Sequence, residues 1–247
     1  MKYSDRFAVL NSVFTPGGDI CLPEAKIDVK YFSFKSNGFD AGHKETSIYR
    51  NDIIISENLK FRYPVFVPRG TGKSDKAILL FHGLNERSWN KYLSWAEYLC
   101  EHIGKPVILF PIAFHINRSP KSWSDPRSML SLLNLRRKKY SNDRSVSLAN
   151  VALSERLSNN PLLFYTSGKQ TFHDLETLCT DIRAGMHPLF APNTQIDLFA
   201  YSIGAFLAQI LLLANPGKLF SKSRLFLFCG GSIFSAMQGV SRSIMDR

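Results

Sequence analysis

Five residues, Ala200-Tyr201-Ser202-Ile203-Gly204, set a serine among small neighbours where an apolar alternating segment (196–200) gives way to an apolar helical one (203–214). Small residues there let a strand turn sharply into a helix. The serine hydroxyl is then held above the sheet, and the helix N-terminus directs free N–H groups and the positive end of its dipole at it. That arrangement suits a serine nucleophile and the charge that develops during acyl transfer. The alternative is a packing serine in a tight turn.

Such a nucleophile needs a base and a group that orients the base. The histidines are His43, His82, His102, His115, His173 and His187, and all precede Ser202. The single acidic residue after Ser202 is Asp246. His115 follows a predicted central strand and is the in-chain candidate for a base. His82, in Ile78-Leu-Leu-Phe-His82-Gly83-Leu84, reads as a residue that packs its loop. His173-Asp174 reads as the surface of a helix.

Other chemistries are not supported. Cys21, Cys100, Cys179 and Cys229 are far apart, with no C-x-x-C pair, which argues against a structural zinc site. Three of them sit in apolar stretches and read as small buried hydrophobes. Gly70-Thr-Gly-Lys-Ser74 imitates a phosphate-binding loop, but that motif needs a glycine where Val67 stands, and the segment leads into a strand. No metal and no cofactor is expected. The 31 Lys+Arg against 20 Asp+Glu give a net charge of +11, without a nucleic-acid-binding motif, so nucleic acid is not the expected partner. Residues 118–144 concentrate eight Lys/Arg and two Asp. Lys121, Arg127 and Arg136 to Lys139, beside Trp123 and Tyr140, form either a solvated loop or lid, or a polyanion-binding surface.

The elements that would position the serine are legible from periodicity. Strands are predicted at 27–34, 53–55, 59–67, 77–81, 107–110, 196–200 and 225–229, and helices at 88–102, 169–187, 203–214 and from 231 to Arg247. Residues 1–26 carry no clear pattern. Residues 117–168 look like a partly helical insertion. From residue 77 the strand–helix alternation predicts an α/β fold: a mostly parallel sheet with helices on both faces, as a single domain over 1–247. The opening segment does not read as a signal peptide, and the longest apolar stretch is well short of the ~20 residues of a membrane span. A soluble, cytoplasmic protein is expected.

The strand–Ala-x-Ser-x-Gly–helix unit resembles the G-x-S-x-G nucleophile elbow of the α/β-hydrolase superfamily, with alanine for the first glycine. The strand ending in His82-Gly83 is similar to the one that precedes the oxyanion loop in that superfamily. The resemblance spans roughly 59–235 apart from the insertion. It is to the superfamily, or to a bacterial branch of it, and is close to no single characterised enzyme family. It implies Ser202 as nucleophile and the backbone N–H groups of Leu84 and Ile203 as oxyanion donors. It further implies an antiparallel hairpin of the 59–67 and 77–81 strands, and 117–168 as a lid. Phe81, Leu84, Phe114, Tyr201 and Phe206 would then line an apolar site for a small acyl or ester substrate. The superfamily takes its triad acid and histidine after the serine, where this chain has no histidine. The chain is therefore expected to be incomplete at its C-terminal end, or a relative that has lost catalysis, and to show little or no hydrolase activity. The rival classes are a non-catalytic hydrolase-fold scaffold and a polyanion-binding module that uses the basic insertion.

Overall fold

The computed structural model describes residues 2–22, 24–39, 55–141, 143–230 and 240–246. In chain order the elements are α1 (Tyr3–Val13), β1 (Ile20–Cys21), β2 (Ile27–Lys35), α2 (Ser56–Leu59), β3 (Lys60–Pro68), β4 (Ser74–Phe81), α3 (Asn90–Ile103) and β5 (Val107–Leu109). They continue with α4 (Pro126–Lys139), α5 (Val151–Asn159), α6 (Leu162–Arg183), β6 (Phe190–Tyr201), α7 (Ile203–Ala214) and β7 (Leu225–Phe228). The strands form one seven-stranded mixed sheet in the order β1-β2-β3-β5-β4-β6-β7. The β5-β4-β6-β7 half is parallel, and β1, β2, β3 and β5 join antiparallel.

The apolar run of β4 explains its central place, because alternate residues must be buried on both faces. Leu79 and Phe81 pack with α6 and α7 through Leu175, Leu178, Ile182, Leu207 and Leu211. Ile78 and Leu80 face the other way, onto Tyr92, Leu93, Ala96 and Cys100 of α3 and Leu10 of α1. β6 divides likewise, with Ile196, Leu198 and Ala200 on the first face and Phe199 and Tyr201 on the second. The expected fold class, an α/β sheet with helices on both faces, is the one observed.

Several local expectations are corrected. The 60–68 and 74–81 strands do not form a hairpin: β3 pairs with β2 and β5, and β5 lies between β3 and β4. The buried Val107–Leu109 needs a partner on each side, and β3 supplies the second. Residues 3–13 form α1, which sequence periodicity hides because its single buried residue is Leu10. Arg6 docks α1 onto α3 through an ion pair with Glu97 (Nε to Oε2, 2.8 Å). α6 starts at 162, seven residues earlier than expected, and runs through Gly168, where the missing side chain leaves open space. Cys100 and Cys179 are buried as expected, but Cys229 is exposed. The expected strand at 53–55 lies outside the described residues except for Ile55, and so does most of the expected last helix, residues 231–239. Residues 240–246 are not helical; Val240 bridges Met245.

Asp174 is the largest correction to the reading of side chains. It lies in α6 but is buried, and Arg118 Nη2 donates to its Oδ2 at 2.7 Å. Arg118 is itself fully buried and donates further to Asn58 and to the Pro111 carbonyl. Burial raises the Asp174 pKa, against the pull of Arg118, and lowers that of Arg118 to about 10, which leaves the guanidinium charged at neutral pH. Removing one partner of such a pair strands a buried charge at a cost of about 3–5 kcal/mol. Asp174→Ala is therefore expected to lower the urea-unfolding free energy by about that amount. A loss below ~1 kcal/mol, the range of an exposed pair, contradicts this account of the pair.

Candidate active site

β4 is the point at which the sheet reverses its direction of growth, with β5 on one side and β6 on the other. In open α/β sheets, the crevice beyond the carboxyl ends of the strands at such a point is the ligand site. Three of the segments singled out in the sequence leave the sheet there: His82-Gly83-Leu84 after β4, the loop carrying His115 after β5, and Ser202 after β6.

Ser202 joins β6 directly to α7, with φ 55° and ψ −120°. A residue with a Cβ pays strain in that region of backbone space, of order 1–3 kcal/mol. Parallel pairing holds it in place: Phe81 is opposite Ala200, Tyr201 is opposite Phe228, and the Ser202 N–H donates to the Phe228 carbonyl at 3.1 Å. Gly204 then comes so close to β4 that a Cβ on it would lie 2.6 Å from the Phe81 Cβ and 2.7 Å from the His82 carbonyl oxygen. Ala200, where the elbow motif has glycine, tucks its methyl group into the core. The Ser202 side chain is half-buried and hydrogen-bonded to no other described residue.

The facing loop is braced from several sides. The Gly83 N–H donates to Tyr92 Oη at 2.8 Å, Tyr92 donates to Glu86 at 2.7 Å, and Asn85 (φ 60°) donates to Ala149 and Ser243. Both ring nitrogens of His82 are occupied: Nδ1 is 2.8 Å from the Gly83 carbonyl, and Nε2 accepts from the Ile112 N–H at 2.9 Å. Burial holds the His82 pKa far below its ordinary value, so the ring is neutral, and its contacts are those of a packing residue. Among the described residues, the N–H groups of Leu84 and Ile203 donate to no carbonyl or side chain.

Leu84 and Ile203 line one apolar cavity of about 80 Å³, together with Phe114, His115 and Phe206. Its far wall comes from the 117–168 region and the start of α6: Leu153, Arg156, Leu157, Leu163 and Phe164. Phe81 and Tyr201, expected to join them, lie elsewhere. Phe81 is sealed in the core below α7, and Tyr201 points to the opposite face, against Tyr92 and Trp95. Sequence reading missed the wall from α5 and α6, whose signal is an amphipathic pattern that follows the basic stretch, inside the 117–168 insertion.

The remaining candidates are accounted for. Asp246 is fully buried and paired with Arg136 through Nε–Oδ2 at 2.6 Å and Nη2–Oδ1 at 2.7 Å. That pair raises the Arg136 pKa and removes Arg136 from any polyanion-binding surface. Trp123 is covered by the Arg156 guanidinium at 3.8 Å. His115 is buried, and its Nδ1 lies 2.9 Å from the Ala113 carbonyl. The loop that carries it is fixed by Phe114 N–H to Asn58, Ala113 N–H to Thr171 and the Arg118 network.

Two outcomes follow. Gly204→Ala is expected to destabilise the fold by about 1–3 kcal/mol through overpacking, read as a shifted urea midpoint; an unchanged midpoint contradicts the close approach. Burial also lowers His115 from the ordinary 6.5 to about 4, and His187 likewise to about 4. The unfolded chain therefore binds these protons first, so this stability is fully present above about pH 6.5 and is lost as the pH falls towards 4. Each histidine should cost roughly 2 kcal/mol between pH 7 and pH 5. Urea midpoints that do not move over that interval rule this out.

Comparison with known proteins gives a family and distant structural likenesses. No curated protein matches the chain. A novel cold-adapted esterase from an Arctic intertidal metagenomic library is 13% identical over 86% of this chain, with a TM-score of 0.46. A bacterial heroin esterase is 11% identical over 91% of it, with a TM-score of 0.43. The matched region spans 65% and 49% of those two proteins, respectively. The profile of DUF6051, a family of unknown function, matches residues 1–247, and the chain belongs to that family.

Proposed function

We propose that the carboxyl edge of the sheet is an acyl-hydrolase site of the α/β-hydrolase type, with Ser202 as nucleophile and the Leu84 and Ile203 N–H groups as oxyanion donors. The observation that carries this reading is the backbone of Ser202: a non-glycine residue at φ 55° between a central strand and a 12-residue helix. Strain of this kind persists only where the surroundings over-determine it, and it clusters at functional sites. The two N–H groups have no acceptor among the described residues and border the same apolar cavity. Donors of this sort, aimed at a developing oxyanion, are each worth about 3–4 kcal/mol. A small uncharged ester fits the apolar lining. Residues 117–168 cover the cavity as a lid.

Among the described residues, no group completes a triad with Ser202. No histidine follows Ser202. Asp246 is engaged by Arg136, and burial makes the His115 imidazole a weak base. Among the described residues none is placed to take its proton, and without such a partner Ser202 remains a poor nucleophile. These 247 residues should therefore turn over p-nitrophenyl butyrate no faster than their Ser202→Ala variant. Prolonged exposure to a fluorophosphonate at raised pH, where hydroxide takes the proton, should still modify Ser202 in preference to other serines. Mass mapping that finds no preference for Ser202 would favour a hydrolase-fold scaffold. Clear Ser202-dependent turnover would instead show that a base is present.

A further inference from the structure

His115 is only 7% exposed, yet its Nε2 has no hydrogen-bond partner among the described residues. The geometry fixes its tautomer. Nδ1 faces the Ala113 carbonyl at 2.9 Å, so Nδ1 carries the proton and Nε2 is left as a bare acceptor. His82 gives no relief: its ring centroid is 5.3 Å away, and its own nitrogens are taken by Gly83 and Ile112. Leaving a buried acceptor unsatisfied is costly, and each such group in a folded protein calls for an explanation. Here the ring forms part of the wall of the cavity that also holds Leu84 and Ile203. Phe114, Leu153 and Phe206 make the rest of that wall largely apolar, with Arg156 and Ser167 as its other polar members.

We propose that His115 is a specificity-determining residue, whose Nε2 accepts a hydrogen bond from a hydroxyl or N–H of a small, otherwise apolar group bound in this cavity. The inference rests on the reading of Ser202 as an acyl site and names its substrate class: a short acyl chain with one hydrogen-bond donor. An acceptor role suits this imidazole better than a base role. Burial keeps it neutral down to about pH 4, and the Arg118 and Arg156 guanidiniums also oppose its protonation. No carboxylate among the described residues is hydrogen-bonded to it. A pocket whose buried polar group needs a partner discriminates against ligands that lack one.

The test uses three methyl ketones that mimic a butyryl group and cannot be hydrolysed: 2-pentanone, 4-hydroxy-2-pentanone and 5-hydroxy-2-pentanone. Their dissociation constants for the whole chain are measured by NMR titration, with the ¹⁵N resonance of His115 Nε2 followed directly. At least one hydroxyketone should bind about tenfold more tightly than 2-pentanone and move that resonance. His115→Phe should abolish the preference, and His115→Gln, which keeps an acceptor, should restore part of it. Equal binding of all three ketones to the unaltered protein overturns the inference. So does a preference that persists in a folded His115→Phe protein. Should that variant not fold, the ketone series and the resonance decide. Selective fluorophosphonate labelling of Ser202 without a hydroxyl preference sinks this inference alone. A His115-dependent preference without labelling supports it and removes the nucleophile reading.

Discussion

The candidate site depends on one close approach, that of Gly204 in the first turn of α7 to Phe81 and His82 at the end of β4. With 2.6 Å between a notional Cβ and Phe81, there is room for hydrogen alone. Because the helix can sit that close, α7 starts immediately after β6, and Ser202 is forced into positive φ. The strain at Ser202 is balanced by the sheet: β6 lies between β4 and β7 and cannot relax without breaking both pairings. The same contact brings the N-terminus of α7 alongside the Leu84 loop, so the two unsatisfied N–H groups border one cavity.

Around this turn the protein uses buried charge to fix loops that apolar packing alone would leave loose. Arg118 reaches Asn58, Pro111 and Asp174, and so joins α2, the loop after β5 and α6. The Asn58–Gln170–Ser36 chain extends the network to the end of β2. A second centre, Arg136 with Asp246 and Glu155, ties the 241–246 segment to α4 and α5. Asn150 and Ser147 donate to Ser241 and Arg242, and Asn85 donates to Ser243. The segment thus links the helices over the cavity to the loop that carries Leu84. Buried pairs add little net stability, but breaking one is expensive, so they specify a single arrangement of the loops.

These ties alter how the charge of the chain is understood. The net charge of +11 and the run Arg136 to Lys139 invite a polyanion-binding reading. Yet the two most buried guanidiniums, Arg118 and Arg136, serve internal carboxylates, and Arg156 lies over Trp123 and Phe114. Side chains that look like a binding surface in sequence are partly the framework of the cavity wall.

The sequence by itself determined the strand–serine–helix unit, the His-Gly turn, the helices predicted at 88–102 and 203–214, and the α/β class. Those features are local: they follow from apolar periodicity and from the small residues that a sharp turn demands. Tertiary structure alone decided the rest. The insertion of β5 between β3 and β4 depends on which strand can bury Val107–Leu109 on both sides, which no local pattern encodes. The burial of Asp174 and Asp246 depends on guanidiniums 56 and 110 residues away, so each carboxylate read as surface or chain end until its partner was placed. The bare Nε2 of His115 depends on which groups surround the ring, and that is a property of the packed molecule.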